Sequence, residues 1–285
     1  AAARAQDQGT ALAPAPVVTH SKADRAAPVE PGAPIFTADA LAGRRALVTG
    51  GTRGIGRAIA IALTRAGAVV TVTYAHSDAD AADARHELGA CGAPDAVRQC
   101  DVRDSSAVAA LFAALKVAGG IDILVNNAAI ARDAHLMLLS DDAWQDVLAT
   151  NLTGPFLCIR PALRGMIAKR FGRIINVISP AGLAGKAGAA NYAASKGGLL
   201  SMTKSLAREV ASFGITVNAL CPGVVETPLV AALPPHVRAA MVAEIPAGRT
   251  GRPEEIAAAS VFLASPAACY VTGATLAVDG GLMTA

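Results

Sequence analysis

The chain has 285 residues, 53% hydrophobic and only 16% charged, which is enough apolar material for one large domain or two small ones. A formal net charge of +3, with no block of like charges and no aromatics interleaved with basic residues, speaks against a nucleic-acid partner. The scattered Cys91, Cys100, Cys158, Cys221 and Cys269 form no CxxC, and no apolar run approaches the ~18 residues of a membrane span. They read as free thiols of a reducing compartment, so a cytoplasmic protein is expected.

Residues 1–35 are rich in alanine and proline (Pro14, Pro16, Pro28, Pro31, Pro34) and lack apolar periodicity. They are expected to form a flexible tail, because such a segment cannot bury enough surface to offset its ordering entropy. The missing initiating methionine suggests trimming or truncation. A targeting remnant, implying an organelle matrix, is the alternative, although Asp7, Asp24 and Glu30 are unlike such acid-poor peptides.

From about Phe36, short β-branched runs alternate with longer helical patterns. "RALVTGG" reads as a strand entering a glycine turn, and "GRAIAIALTRAGA" as the helix after it, closed by Gly67. "VVTVTY", "AVRQCDV" and "IDILVNNAA" predict the next three strands. "GRIINVIS" and "ITVNALCPG" each follow a helix-length segment, and "GATLAVDGG" is the last strand. Continuous apolar strands separated by helices indicate a parallel sheet covered on both faces. With no internal repeat, residues 36–285 are expected to form one doubly wound α/β domain of Rossmann type.

The glycine turn reads "TGGTRGIG". Gly50, Gly54 and Gly56 remove side chains where backbone must approach a phosphate and helix must pack close to strand. The helix N-terminus then offers free N–H groups and partial positive charge to a pyrophosphate. Any tight turn can use glycines, but the strand–turn–helix context points to a dinucleotide. An NAD site usually ends its second strand with an acid that bonds the ribose 2′-hydroxyl. Here Tyr74 stands in that place, and Arg53 offers a 2′-phosphate a charge-assisted bond worth ~1.5–3 kcal/mol. NADP(H) is therefore the expected cofactor. His76 either helps or is an idle loop residue.

In "NYAASKGG", Tyr192 and Lys196 are i and i+4 and share one helix face. A phenol of pKa about 10 is a poor acid–base group at neutral pH, and a nearby ammonium pulls that value down. A shift of about three units would poise it for general acid–base catalysis. Alone, such a pair is usually surface decoration. Ser179, just after an apolar strand, stands where parallel α/β sheets hold ligands. Its hydroxyl either bonds a substrate oxygen or merely caps the next turn.

With these residues in view, the chain from about Leu41 onward resembles the short-chain dehydrogenase/reductase family. "TGGTRGIG" resembles that family's TGxxxGxG cofactor loop, implying contacts from Gly50, Thr52, Arg53, Gly54, Ile55 and Gly56. "CDV" resembles its adenine segment (Asp101, Val102), and "NNAA" its NNAG (Asn127, Ala128, and Ala129 where glycine is usual). "CPGVVETP" resembles its nicotinamide-side PGxxxT (Pro222, Gly223, Val225, Thr227). Asn151, Ser179, Tyr192 and Lys196 match the catalytic tetrad. The resemblance implies hydride transfer to a carbonyl carbon with Tyr192 as proton donor and Ser179 orienting the oxygen. Lys196 is implied to lower the tyrosine's pKa and hold the nicotinamide ribose, and Asn151 to hold a water linking Lys196 to solvent.

Within the family the chain is most similar to the β-ketoacyl-acyl carrier protein reductases, through "NNAAIARDAHLM", "LAREVASFGITVNALCPG" and "GRTGRPEEIAAASVFLASPAACYVTG". This implies a homotetramer that reduces 3-oxoacyl thioesters with NADPH. Arg170 matches one arginine by which that group docks its carrier protein near the site, while Phe213 replaces the other. That loss leaves room for coenzyme A thioesters, and Phe213 is equally readable as an interface residue. "LVAALPPHVRAAMVAEIPAG" is expected to be an apolar lid that suits an acyl chain or a steroid-like ketone. The alternatives are a dehydrogenase of other secondary alcohols or sugars, and a non-catalytic NADP-binding protein. No hydrolase motif accompanies a histidine, and the histidines have no metal-ligand spacing.

Overall fold

A computed structural model describes residues 39–284, so the expected tail over residues 1–35 lies outside the described residues. Each apolar run of the sequence becomes a strand: β1 (Arg45–Val48), β2 (Val69–Tyr74), β3 (Val97–Gln99), β4 (Ile123–Asn126), β5 (Gly172–Val177), β6 (Ile215–Pro222) and β7 (Thr275–Val278). All ladders are parallel, in the order β3-β2-β1-β4-β5-β6-β7. The third strand is shorter than the sequence run. It pairs with β2 only from Val97 to Gln99, after which Asp101 and Val102 leave the ladder.

Between the strands run α1 (Gly54–Arg65), α2 (Asp78–Ala90), α3 (Ser105–Val117), α4 (Asp141–Leu148), α5 (Gly154–Lys169) and the short α6 (Ala181–Ala184). They are followed by α7 (Ala190–Val210), α8 (Pro228–Ala231), α9 (Pro235–Ala243) and α10 (Pro253–Ala264). The first helix starts at Gly54, two residues before the expected Gly56, and Gly67, in the left-handed region at φ 92°, ends its turn as expected. The expected lid becomes α8 and α9, each opened by a proline in its first turn.

Alternating strand residues feed two cores, as a sheet covered on both faces requires. Ala46, Val48, Val125 and Ile175 pack with Ile59 and Leu63 of α1, Leu88 of α2 and Ile256 of α10. Leu47, Leu124 and Ile174 face the other way, onto Phe112 of α3, Met166 of α5 and Leu206 of α7. The chain winds outward from β1 to β3, then returns across β1 to continue through β4. That reversal opens a crevice at the carboxyl ends of β1 and β4, where doubly wound sheets bind ligands.

Candidate active site

The crevice is built by the turn after β1. Thr49 Oγ1 accepts from the Asn127 and Ala128 N–H groups at 3.0 and 3.1 Å, and Asn127 Nδ2 donates to the Thr49 and Gly50 carbonyls at 3.0 Å each. These bonds bind the glycine turn to the end of β4. Gly50 has φ 61°, and a Cβ there would stand 2.9 Å from Ala128 Cα. The turn is thus closed too tightly for a side chain at position 50. Arg53, the N-cap of α1, makes no side-chain capping bond, and the first turn carries no acid. The leading N–H groups of α1 are therefore left for a ligand, and an anionic one is favoured.

Of the expected cofactor residues, Gly50, Thr52, Arg53, Tyr74, Asp101, Val102, Asn127, Ala128 and Ala129 line one groove of about 520 Å³. Gly54, Ile55 and Gly56 stand behind it in α1. Pro222 ends β6, Gly223, Val225 and Thr227 follow it, and Thr227 Cγ2 reaches within 3.5 Å of where a Gly54 Cβ would be. Two expected ligand groups are occupied by neighbours. Tyr74 Oη donates to Asp78 Oδ1 at 2.9 Å, and Arg53 pairs with Asp80 at 3.5 Å while remaining largely exposed. Arg103 grips the Asp101 carboxylate at 2.7 Å, which holds that acid below the usual carboxylate range. Arg103 and Arg132 also line the groove. Sequence reasoning passed over both, because neither lies in a periodic or glycine-marked stretch.

The expected tetrad assembles at the carboxyl ends of β4 and β5. Asn151 is fully buried in a π-helical turn, Ala149–Thr153, between α4 and α5. Its Oδ1 accepts from the Ile130 N–H at 2.9 Å, and its Nδ2 donates to the Ile130 carbonyl at 2.9 Å and to Ser195 Oγ at 3.1 Å. Ser195 in turn donates to the Tyr192 carbonyl at 2.7 Å. Asn191 accepts from the Tyr192 N–H at 2.8 Å and donates to the Arg132 and Ala143 carbonyls. Asn191 and Ser195 thus fix the helix that presents Tyr192. Both lie beside the tyrosine in sequence, but nothing in their spacing marks them.

Ser179 Oγ accepts from the Ala181 N–H at 3.3 Å, so it does cap the following turn, and it lies close enough to the Tyr192 phenol to act on its pKa. The capping reading of this serine is the one observed. Gly182 brings α6 onto α7: a Cβ there would stand 2.7 Å from the Lys196 carbonyl carbon. Lys196 is buried, its Nζ 5.8 Å from the Tyr192 ring centre and donating to the Val177 carbonyl at 2.7 Å. Burial pushes its pKa down to about 8. Burial also raises the Tyr192 pKa, against a hydrogen bond from Ser179 that pulls it partly back, with the Asp133 charge adding to the rise. The expected acidification of Tyr192 is therefore absent from this geometry. Desolvation dominates, and the Lys196 ammonium is turned to the Val177 carbonyl.

A family model described as enoyl-(acyl carrier protein) reductase matches residues 50–283. The chain is 52% identical over 242 residues to the 3-oxoacyl-(acyl-carrier-protein) reductase of Vibrio harveyi, covering 85% of this chain and 98% of that one. It belongs to the short-chain dehydrogenase/reductase family. Other members of this family include the 3-oxoacyl-(acyl-carrier-protein) reductase of Escherichia coli, 47% identical over 84% of this chain and 97% of its own. The acetoacetyl-CoA reductase of Shinella zoogloeoides is 46% identical over 84% and 98%. A crystal structure described as a candidate gluconate dehydrogenase from Agrobacterium tumefaciens superposes with a TM-score of 0.83 at 37% identity, covering 86% and 98%. As a short-chain dehydrogenase/reductase, the protein is an oxidoreductase.

The expected carrier-docking residue, Arg170, lies at the opposite end of β5 from Ser179. Arg170 ends α5 with φ 50°, ahead of β5, and donates to the Ser212 carbonyl at 2.9 Å. Ser179 follows the other end of that six-residue strand, roughly 20 Å away at ~3.3 Å per residue. Phe213 is half-buried and packs inward against the α5 and α7 core.

Proposed function

We propose that the chain is an NADPH-dependent reductase of 3-oxoacyl thioesters, with Tyr192 as the proton donor. The carrying observation is a largely buried Tyr192 phenol beside Ser179, its ring centre 5.8 Å from the ammonium of the buried Lys196. Identity near one half to reductases of acyl thioesters supports the substrate class.

The groove fits a dinucleotide. The uncapped first turn of α1 suits the pyrophosphate and Arg53 is exposed for a 2′-phosphate; we assign Asp101 and Val102 of the groove to the adenine end, and Pro222, Gly223, Val225 and Thr227 at the end of β6 to the nicotinamide. Bound there, NADPH supplies the hydride. Tyr192 Oη gives its proton to the oxygen as charge develops on it, and its raised pKa keeps that proton available at neutral pH. Ser179 donates a hydrogen bond to the same oxygen. Lys196, with a pKa near 8, can return a proton toward Tyr192 and steady the ribose. Because the Asn151 side chain is engaged with Ile130 and Ser195, a water linking Lys196 to solvent falls to the main chain of the π turn. Five free thiols suit a reducing compartment, and we place the reductase in the cytoplasm as a homotetramer.

The test is steady-state oxidation of NADPH, and separately NADH, with acetoacetyl-CoA and the acetoacetyl carrier protein. Turnover of either thioester with NADPH preferred supports the reading. No turnover of either, in protein that binds NADPH, moves the substrate to another class of ketone.

A further inference from the structure

The loop between the two residues that hold the substrate oxygen reads "GKAG", Gly185 to Gly188. Both glycines are in the left-handed region, at φ 78° and 76°, and a Cβ on either would meet nothing within 4 Å. The loop therefore stands clear of its surroundings. Its far end is anchored, since the Ala189 N–H donates to the Lys186 carbonyl at 3.1 Å and Ala189 bridges Ala134. Ser179 lies before this loop and Tyr192 after it, and Lys186 pairs with Asp133, whose charge acts on the Tyr192 phenol, so Lys186 lies beside the site. Its side chain is 58% exposed, and its ammonium pairs with the 42% exposed Asp133 carboxylate at 3.3 Å. An ion pair this exposed is weak and readily exchanged for a better anion. Leu183, three residues earlier in α6, is 44% exposed.

We propose that Lys186 holds the phosphate of the thioester's carrier arm and so sets a preference for phosphorylated over uncharged thioesters. The proposal rests on the 3-oxoacyl thioester reading. Arg170, at the opposite end of β5, lies too far from Lys186 in the fold to share that role. Asp133 competes with the phosphate for the same ammonium. It also faces the Tyr192 phenol, together with Ser179, Cys221 and Lys196, so changing it alters the chemistry for every substrate. A ratio of two substrates removes that common effect.

The experiment compares kcat/KM for acetoacetyl-CoA and for the acetoacetyl thioester of N-acetylcysteamine, which carries no phosphate. In Lys186→Met the charged-to-uncharged ratio should fall about tenfold, through KM, as expected for loss of a hydrogen bond to a charged group. Lys186→Arg should retain most of the ratio, and Asp133→Asn should raise it. The acetoacetyl carrier protein is the third arm. A matching fall assigns the phosphopantetheine phosphate shared by both carriers, and a fall with coenzyme A alone assigns its nucleotide phosphates. An unchanged ratio in Lys186→Met overturns the proposal while leaving the thioester reading intact. A parent chain that reduces none of the three overturns the thioester reading, and the proposal with it.

Discussion

Replacing Gly56 with alanine puts a Cβ 2.4 Å from both Asn127 Nδ2 and the Gly50 carbonyl oxygen, and 3.1 Å from the Gly50 carbonyl carbon. Neither obstacle is the free end of a flexible side chain. Gly50 is backbone, and Asn127 Nδ2 is pinned to the Thr49 and Gly50 carbonyls at 3.0 Å. Helix propensity alone favours alanine by about 1 kcal/mol. Against it, carbon and oxygen normally approach no closer than ~3.3 Å, so the turn must move by nearly 1 Å. Overpacking of this kind costs ~1–3 kcal/mol, and a broken Asn127 clasp leaves carbonyls unpaired at a similar cost each. The expected net loss is about 2–4 kcal/mol in urea unfolding. Because Gly50 lines the groove, NADPH affinity by fluorescence titration should fall with it. Gly165→Ala in α5 is the matched control. Nothing lies within 4 Å of that site, so the propensity gain of up to about 1 kcal/mol should appear. A Gly56→Ala chain as stable as its parent and equal in NADPH affinity would refute the cradle.

Two further outcomes follow from the charges of the site. With the Lys196 pKa lowered to about 8 by burial, its ammonium is present below that pH and lost above it. If the reduction needs that charge, kcat/KM should level off on the acid side and decline above pH 8 in a pH–rate profile. A profile flat through pH 10 would show that the charge is dispensable. Arg53→Ala should raise KM for NADPH about tenfold and leave that for NADH nearly unchanged. Equal changes for the two would remove Arg53 as the 2′-phosphate ligand.

The architecture was legible because parallel strands, buried on both faces, read as unbroken apolar runs. Every such run, from "RALVTGG" to "GATLAVDGG", contains an observed strand. Strand ends were less visible, since ladder pairing and not composition stops β3 at Gln99. The glycine turn and the Tyr192–Lys196 spacing marked the site because backbone approach and helical period leave local signatures. What stayed hidden depends on contacts between distant segments. Asp78 under Tyr74 and Asp80 beside Arg53 arise where the start of α2 folds back on the groove. The Ile130–Asn151–Ser195 chain joins three elements through a π turn that no propensity announces. The Tyr192 pKa rises where the spacing suggested a fall, because an i, i+4 pair carries no information about how deeply it is buried.

The proton-donor role of Tyr192 stands or falls on one variant, Tyr192→Phe, assayed for NADPH binding by fluorescence and for turnover of acetoacetyl-CoA. The phenyl ring keeps the packing of α7 and removes only the hydroxyl. Binding should persist while kcat falls by ~10²–10⁴, the usual worth of a positioned general acid. Turnover close to that of the parent would contradict the role, and with it the chemistry assigned to the site.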